Sequence, residues 1–249
     1  MLFQNIDPNL LTIGLFSIRF YGIVYAIGFL LVNYLLVKKA GKIKNLTKEI
    51  ASDLVLYTML FGIIGARIVH ILTEWTYYST NLLDIFAIWE GGLAFHGGLI
   101  GGILAIYFFT KRHKISFLEI LDNFVIPLSI ATAFGRIANF INSEHLGFPT
   151  SLPWCVVFQR IDDICRHPVQ LYESITQFLL FGILLYMNKT KQKTGNLTYA
   201  YVFFYSVFRF ITDFFRSTYA IFLFGLALSQ IVSIVLVILS LHLYFSSKK

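Results

Sequence analysis

Hydrophobic positions in this chain run in long unbroken stretches instead of alternating with polar ones. Seven stretches approach the ~20 residues that carry a helix across a bilayer. They lie at 15–37, 51–72, 92–110, 116–135, 168–188, 197–215 and 221–245. The largest polar interval, 136–167, contains Pro149 and Pro153 and is closed by Pro168, all breakers of regular structure. The pattern predicts an all-α polytopic membrane protein of about seven transmembrane helices, with 136–167 as a small extracytoplasmic cap between the fourth and fifth. No repeat, low-complexity tract or long linker divides 1–249, so a single membrane domain is expected. The start lacks the basic stretch and small-residue cleavage site of a signal peptide, and the first stretch is expected to stay as a span.

Composition sharpens this picture. The chain is 57% hydrophobic and 13% charged, with mean hydropathy +0.72. Soluble domains carry roughly 25% charged residues. A net charge of +7 raises the question of a nucleic-acid partner, but the distribution of charge answers it. Every lysine falls in one of four patches: Lys38, Lys39, Lys42, Lys44 and Lys48; Lys111 and Lys114; Lys189, Lys191 and Lys193; Lys248 and Lys249. With seven spans all four patches share one side, which the positive-inside rule makes cytoplasmic. The N-terminus is then extracytoplasmic and the C-terminus cytoplasmic. The charge encodes topology, and no nucleic acid is implied.

The cations outside those patches are arginines: Arg19, Arg67, Arg136, Arg160, Arg166, Arg209 and Arg216. A guanidinium presents a planar fork suited to phosphate or carboxylate. Two readings stand for them: they gather a phosphate-bearing ligand from the outer leaflet, or each pairs locally with an acid or snorkels to the interface. Cys155 and Cys165 lie in the extracytoplasmic interval, where a disulfide and two free thiols are both compatible with the spacing. No metal-ligand spacing occurs.

The densest chemistry is Gly135-Arg136-Ile137-Ala138-Asn139-Phe140-Ile141-Asn142-Ser143-Glu144-His145-Leu146-Gly147. An arginine, two amides and a carboxylate beside lipid are costly without partners or a task. Arg136 and Asn139, three apart, share a helix face, and Asn142 and Glu144 follow where that helix ends. A self-satisfied polar helix terminus would look similar. His96 stands among Gly91, Gly92, Gly97 and Gly98, either hydrogen-bonded within a core or placed to accept a proton from a nucleophile. Gly97, Gly98, Gly101 and Gly102 suit close helix packing, or leave a bare backbone beside His96 for a ligand. Glu173, in an apolar run opened by Pro168, requires a cationic partner and reads as supporting. Tyr205, Arg209 and Asp213 recur every four residues, with Arg216 one turn further. Asp213 can hold one of these arginines while the other meets a ligand, although a helix–helix salt bridge has the same spacing. Tyr21 and Tyr25 share a face, offering hydroxyls or aromatic packing.

Together these blocks resemble the bacterial prolipoprotein diacylglyceryl transferases. Gly135 to Gly147 is similar to the family signature Gly-Arg-x-x-Asn-Phe-x-Asn-x-Glu-x-x-Gly. Phe20-Tyr21-Gly22, Phe95-His96-Gly97-Gly98, Arg166-His167-Pro168-Val169-Gln170-Leu171-Tyr172-Glu173 and Phe208-Arg209-Phe210 with Asp213-Phe214-Phe215-Arg216 resemble further family blocks, in family order along nearly the whole chain. The resemblance implies a seven-span enzyme of the bacterial cytoplasmic (inner) membrane with an outer head domain. It implies transfer of the sn-1,2-diacylglyceryl group from phosphatidylglycerol to the lipobox cysteine of a prolipoprotein signal peptide. A thioether forms and glycerol phosphate leaves, without a cofactor. The essential histidine falls on His96, the arginines on Arg136 and Arg209, and the important tyrosines on Tyr21 and Tyr205. The signature polar residues fall on Asn139, Glu144 and Gly147. Expected catalytic groups are thus His96, Arg136, Arg209 and Tyr205, with Tyr21, Asn139, Glu144 and Gly147 joining Arg136 and Arg209 in substrate binding, and Glu173, Asp213 and Arg216 in support.

The chain departs from the family in a short cap, in Arg216-Ser217-Thr218-Tyr219 where the family has an Arg-x-Pro-Asp segment, and in Leu228-Ser229-Gln230 where it has Met-Gly-Gln. Rival classes fit less well. An anion transporter predicts a repeat between halves that is not found. A non-catalytic lipid-binding protein needs no His96. A metal-dependent phospholipid alcohol transferase needs an aspartate-rich motif that is absent.

Overall fold

A computed structural model of the chain describes residues 2–13, 16–190, 192–217 and 221–247. The side chains of Arg19, Tyr21 and Glu90 lie outside this description, as do Lys191, Thr218, Tyr219, Lys248 and Lys249. The fold is mostly helical: α1 (Phe20–Lys39), α2 (Lys48–Thr73), the short α3 (Trp75–Tyr78), α4 (Phe95–His113), α5 (Phe117–Ile141), α6 (Val169–Asn188), α7 (Asn196–Asp213) and α8 (Leu228–Ser246). Among the described residues, five segments are long and apolar enough to cross a membrane: Gly22–Lys39 of α1, and α2, α5, α6 and α8. The chain is therefore a polytopic helical membrane protein. The other two stretches read from the sequence form α4 and α7, whose hydropathy is diluted by Lys111 and Arg112 in one and Asn196, Arg209 and Asp213 in the other.

The all-α expectation needs one correction, because short strands accompany the helices. Strands β1 (Leu2–Gln4), β2 (Asn9–Ile13) and β3 (Phe16–Arg19) precede α1. β4 (Val156–Phe158) and β5 (Cys165–Arg166) lie in the cap, and β6 (Ile221–Leu223) and β7 (Leu226–Ala227) precede α8. Strands of two to five residues are too short to display the alternation by which strands are read. A second correction concerns the cap boundary. α5 continues to Ile141, so Arg136 and Asn139 are helical and the irregular cap begins after them. An arginine ends a hydropathic stretch but not a helix.

The chain divides into two compact units, Phe29–Asn123 and Met1–Gly28 with Phe124–Lys249. In the first, Thr47 caps α2 by accepting from the Ile50 amide at 3.2 Å. Glycines decide how α2 and α4 meet. A Cβ on Gly97 would run into the Gly65 carbonyl and stand 2.8 Å from Val69 Cβ, and one on Gly101 would run into the Phe61 carbonyl. The glycine stripe is a packing surface between backbones. Arg67, 7% exposed, spends its guanidinium on the carbonyls of Asp84, Ile85 (2.9 Å), Gly91 (2.7 Å) and Gly92 (3.2 Å), beneath the Tyr78 ring. This arginine is spent on backbone carbonyls, neither on an acid nor at the interface.

In the second unit, Val125 of α5, Leu180 and Leu184 of α6, and Leu197 and Ala200 of α7 form a buried cluster that Tyr201, Tyr205 and Phe208 flank. Ser174 ties α6 to α5 by donating to the Ala133 carbonyl at 3.0 Å. The cap is built on the sheet β1–β4–β5, with β1 parallel to β4 and β5 antiparallel to it. Its buried Phe158 meets Phe140 of α5 at 5.5 Å between ring centroids. Cys155 and Cys165 are joined as a disulfide, which resolves the two alternatives left by their spacing.

Candidate active site

Three consecutive long helices bring charged groups to a common point. Glu173 stands on the second turn of α6, where the fixed φ of Pro168 starts the helix. It is 4% exposed, a position that disfavours a carboxylate unless cations compensate it. They do. Arg136 of α5 places Nε 3.1 Å from Glu173 Oε2, Arg209 of α7 bonds Oε1 with Nη1, and Arg216 Nη1 lies 3.8 Å from Oε1. Asp213, one turn after Arg209, takes its Nη2 at 2.8 Å. Three guanidiniums held by two carboxylates leave this ion-pair set with one net positive charge. That charge suits one phosphodiester anion.

Beside it the signature residues form a chain of hydrogen bonds. Arg136 Nη1 donates to Asn139 Oδ1 at 3.2 Å, Asn139 Nδ2 to Glu144 Oε2 at 2.9 Å, and Asn142 Nδ2 to Glu144 Oε1 at 3.3 Å. Glu144 thus orients amides and leaves the ion pairing to Glu173. Gly147 is required by close approach: a Cβ there would run into the His167 carbonyl and stand 2.8 Å from Val169 Cγ2. Its backbone also bridges to Arg216, and the Phe148 amide donates to the Phe215 carbonyl at 2.9 Å. The cap is thereby stitched to the end of α7.

His145 had no reading from the sequence, yet its Nδ1 lies 2.6 Å from Arg216 Nη2. A ring nitrogen facing a guanidinium must act as acceptor, so the imidazole is neutral. Burial of the ring and then the charges of Arg216, Arg136 and Arg209 hold its pKa down to about 4. A cavity of about 10 Å³, the space of one water, opens between Arg136, Glu173, Tyr205 and Arg209. Gln177 also lines it, 5% exposed, and its Oε1 has no hydrogen-bond partner among the described residues. Nothing in the sequence separates Gln177 from a polar residue on a helix surface.

The other expected residues are distributed as follows. Tyr205 borders the cavity, its ring stacked on Tyr201 at 5.8 Å. Tyr21 is on the first turn of α1, but its side chain is outside the described residues. His96, second residue of α4, is exposed and edge-on to Phe95; it belongs to the other compact unit. Arg160 donates to the Ile6 carbonyl at 3.1 Å and Arg166 pairs with Asp162 at 2.6 Å, and that hydrogen bond holds the Asp162 carboxyl below its usual range. Among the described residues no group of three or more His, Cys, Asp or Glu is arranged to hold a metal ion.

Comparison with protein families matches residues 8–246 to the prolipoprotein diacylglyceryl transferases. Among curated proteins the chain is similar to the phosphatidylglycerol–prolipoprotein diacylglyceryl transferase of Tolumonas auensis, 38% identical over 100% of this chain and 98% of the relative. It is similar to the enzyme of the same name from Finegoldia magna, 36% identical over 94% of this chain and 92% of that one. A third, from Nitratidesulfovibrio vulgaris, is 39% identical over 86% of this chain and 82% of its own length.

Proposed function

Since the chain belongs to the prolipoprotein diacylglyceryl transferase family, it is a transferase that moves a diacylglyceryl group from phosphatidylglycerol to a prolipoprotein, and we propose that Arg136 and Arg209 hold the lipid phosphate while the acceptor thiol attacks. The carrying observation is the single Glu173 carboxylate that gathers Arg136, Arg209 and Arg216. A carboxylate shared by three guanidiniums preorganises donors for phosphate oxygens without leaving the arginines to repel one another.

In the transfer the sulfur of the lipobox cysteine forms a bond to the terminal carbon of the diacylglyceryl group. The bond from that carbon to the phosphate oxygen breaks, and its electron pair leaves with glycerol phosphate. The thiol, with an ordinary pKa of about 8.5, first gives up its proton. His96 receives it, directly or through water; the exposed imidazole on the first turn of α4 supports this role by its chemistry. Arg136 and Arg209 stabilise the charge that the phosphate gains, Tyr205 and Tyr21 supply hydroxyls, and Asn139, Glu144 and Gly147 shape the substrate site. Asp213 and Arg216 hold Arg209 and Glu173. The reaction draws on no cofactor.

The seven helices α1, α2 and α4 to α8 all span the cytoplasmic membrane in this reading, the cap facing outward, the N-terminus outside and the C-terminus inside. Supporting it are the lysines clustered near the ends of α1 and α4 and between α6 and α7. The test is mass spectrometry of a lipobox peptide incubated with the purified protein in phosphatidylglycerol liposomes. A diacylglyceryl adduct on the cysteine, absent from a Cys→Ser peptide and with the Arg136→Ala protein, is expected. An equal adduct with Arg136→Ala would remove the phosphate site from these residues.

A further inference from the structure

The turn that carries Asn142 and Glu144 closes α5 through its own backbone, Ser143 N donating to the Phe140 carbonyl at 3.1 Å and Glu144 N to the Asn139 carbonyl at 3.0 Å, and side chains from elsewhere in the chain brace it. Ser143 at φ 57° and His145 at φ 55° both sit in the left-handed region, two non-glycine residues in three. Such backbone persists only where its surroundings hold it. One restraint comes from α6, where the fully buried Gln170 donates to the Glu144 carbonyl at 2.6 Å. A second is the Arg216 guanidinium beside His145 Nδ1, and a third comes from the far end of the chain. Gln4, on β1 and 2% exposed, donates Nε2 to the Ile141 carbonyl at 2.8 Å and accepts from Ser143 Oγ at 3.0 Å. Ile141 is the last residue of α5, so its carbonyl is one that the helix itself leaves unpaired.

We propose that Gln4 is a positioning residue of the active site, clamping both sides of Asn142 so that Glu144 stays aligned on Asn139. The backbone of Gln4 is fixed independently: β1 pairs in register with β4, Gln4 opposite Phe158, and the Gln4 carbonyl accepts from Gln159 N at 3.1 Å. A single amide therefore transmits the position of the cap sheet to the end of α5. Both its donor and its acceptor are used, which a glutamine serving only to fill space would not require. This inference rests on the reading of Asn139 and Glu144 as substrate-binding residues.

The test compares turnover per folded protein, well below the unfolding temperature, for the wild type, Gln4→Met, Ser143→Ala, their double variant and Glu144→Gln. Methionine keeps the length of the side chain without its two hydrogen bonds. Misplacement of a reacting group by about 1 Å costs up to ~100-fold, and a loss of roughly ten- to a hundredfold in kcat for Gln4→Met is expected on that scale. The double variant should be no worse than Gln4→Met, because Ser143 acts through Gln4. Gln4→Glu supplies a readout that a purely structural role would not move. Its protonated carboxyl can make both bonds and its carboxylate cannot donate to Ile141, so its turnover relative to wild type should climb as pH falls. Full turnover by Gln4→Met with only a lower unfolding temperature would overturn the proposal, as would multiplying losses in the double variant or a flat pH ratio for Gln4→Glu. If Gln4→Met does not fold, Ser143→Ala decides: unchanged turnover refutes the clamp. Unchanged turnover by Glu144→Gln would instead strike the substrate-site reading itself.

Discussion

Arg136 Nε lies 3.1 Å from Glu173 Oε2, joining a residue of the signature stretch on α5 to one on α6. Glu173 is 4% exposed while Arg136 is half-buried, and the other oxygen of Glu173 is committed to Arg209. Removing one partner from such a network leaves uncompensated charge, at a cost of about 3–5 kcal/mol. Glu173→Gln is expected to lower the unfolding temperature measurably and to reduce transfer. Arg136→Ala is expected to lose ~10²–10³-fold in transfer, the scale of removing a charge-stabilising donor. A thermal melt and the peptide-adduct assay on the same preparations check both.

His96→Gln separates binding from chemistry. The variant should bind phosphatidylglycerol vesicles as the wild type does while its turnover falls by ~10²–10⁴, the range for a lost general base. Normal turnover would remove His96 as the base and leave the arginine-rich site to lower the thiol pKa enough that no dedicated base is needed.

His145 predicts a pH dependence of stability. Its folded pKa of about 4 is below the ordinary 6.5, so between these values the unfolded chain binds more protons than the folded one. Stability contributed by the neutral ring is complete above about 6.5 and is lost as pH falls toward 4. His145→Gln, which keeps an acceptor without titrating, should flatten the unfolding temperature across that window. An unchanged slope would show that other groups set it.

Gly97 and Gly101 predict a steric effect without a chemical one. Gly101→Val should prevent α2 and α4 from closing, because the Phe61 carbonyl occupies the space of the new side chain. Lower yield of folded protein in detergent is expected. Gly102→Ala, whose Cβ would stand 3.7 Å from Thr58 Cγ2, should be tolerated. Equal behaviour of the two variants would contradict the packing account.

The Cys155–Cys165 disulfide closes a short loop around β4. Replacing both cysteines with alanine should cost about 2–4 kcal/mol of cap stability. Alkylation before and after reduction, read as a mass shift, establishes the bond. Labelling of both thiols without reductant would show it absent.

Helical class, the approximate bounds of the long helices and the signature stretch were legible in the sequence. Helix-length apolar runs are a local property, and a charge inside one is conspicuous because the bilayer makes it costly. What failed was what depends on partners far along the chain. The cap interval was begun too early, at Arg136, because a charge ends an apolar run; the Arg136–Asn139 spacing already pointed to a helix there, and Glu173, 37 residues on, is what neutralises the arginine. The strands were missed because β1 acquires its meaning only from β4, across more than 150 residues. Gln4, His145 and Gln177 are single polar residues with no spacing to mark them.

By itself the sequence determined that this chain is a helical membrane protein and which residue types are available for holding a phosphate. Tertiary structure alone decided how they are used. It committed Arg67 and Arg160 to backbone carbonyls and Arg166 to Asp162, drew Arg136, Arg209 and Arg216 onto Glu173, and turned the glycines of α4 into a packing face. The reason is physical: hydropathy is a sum over neighbours in the chain, whereas a buried charge is satisfied only by groups brought to it in space.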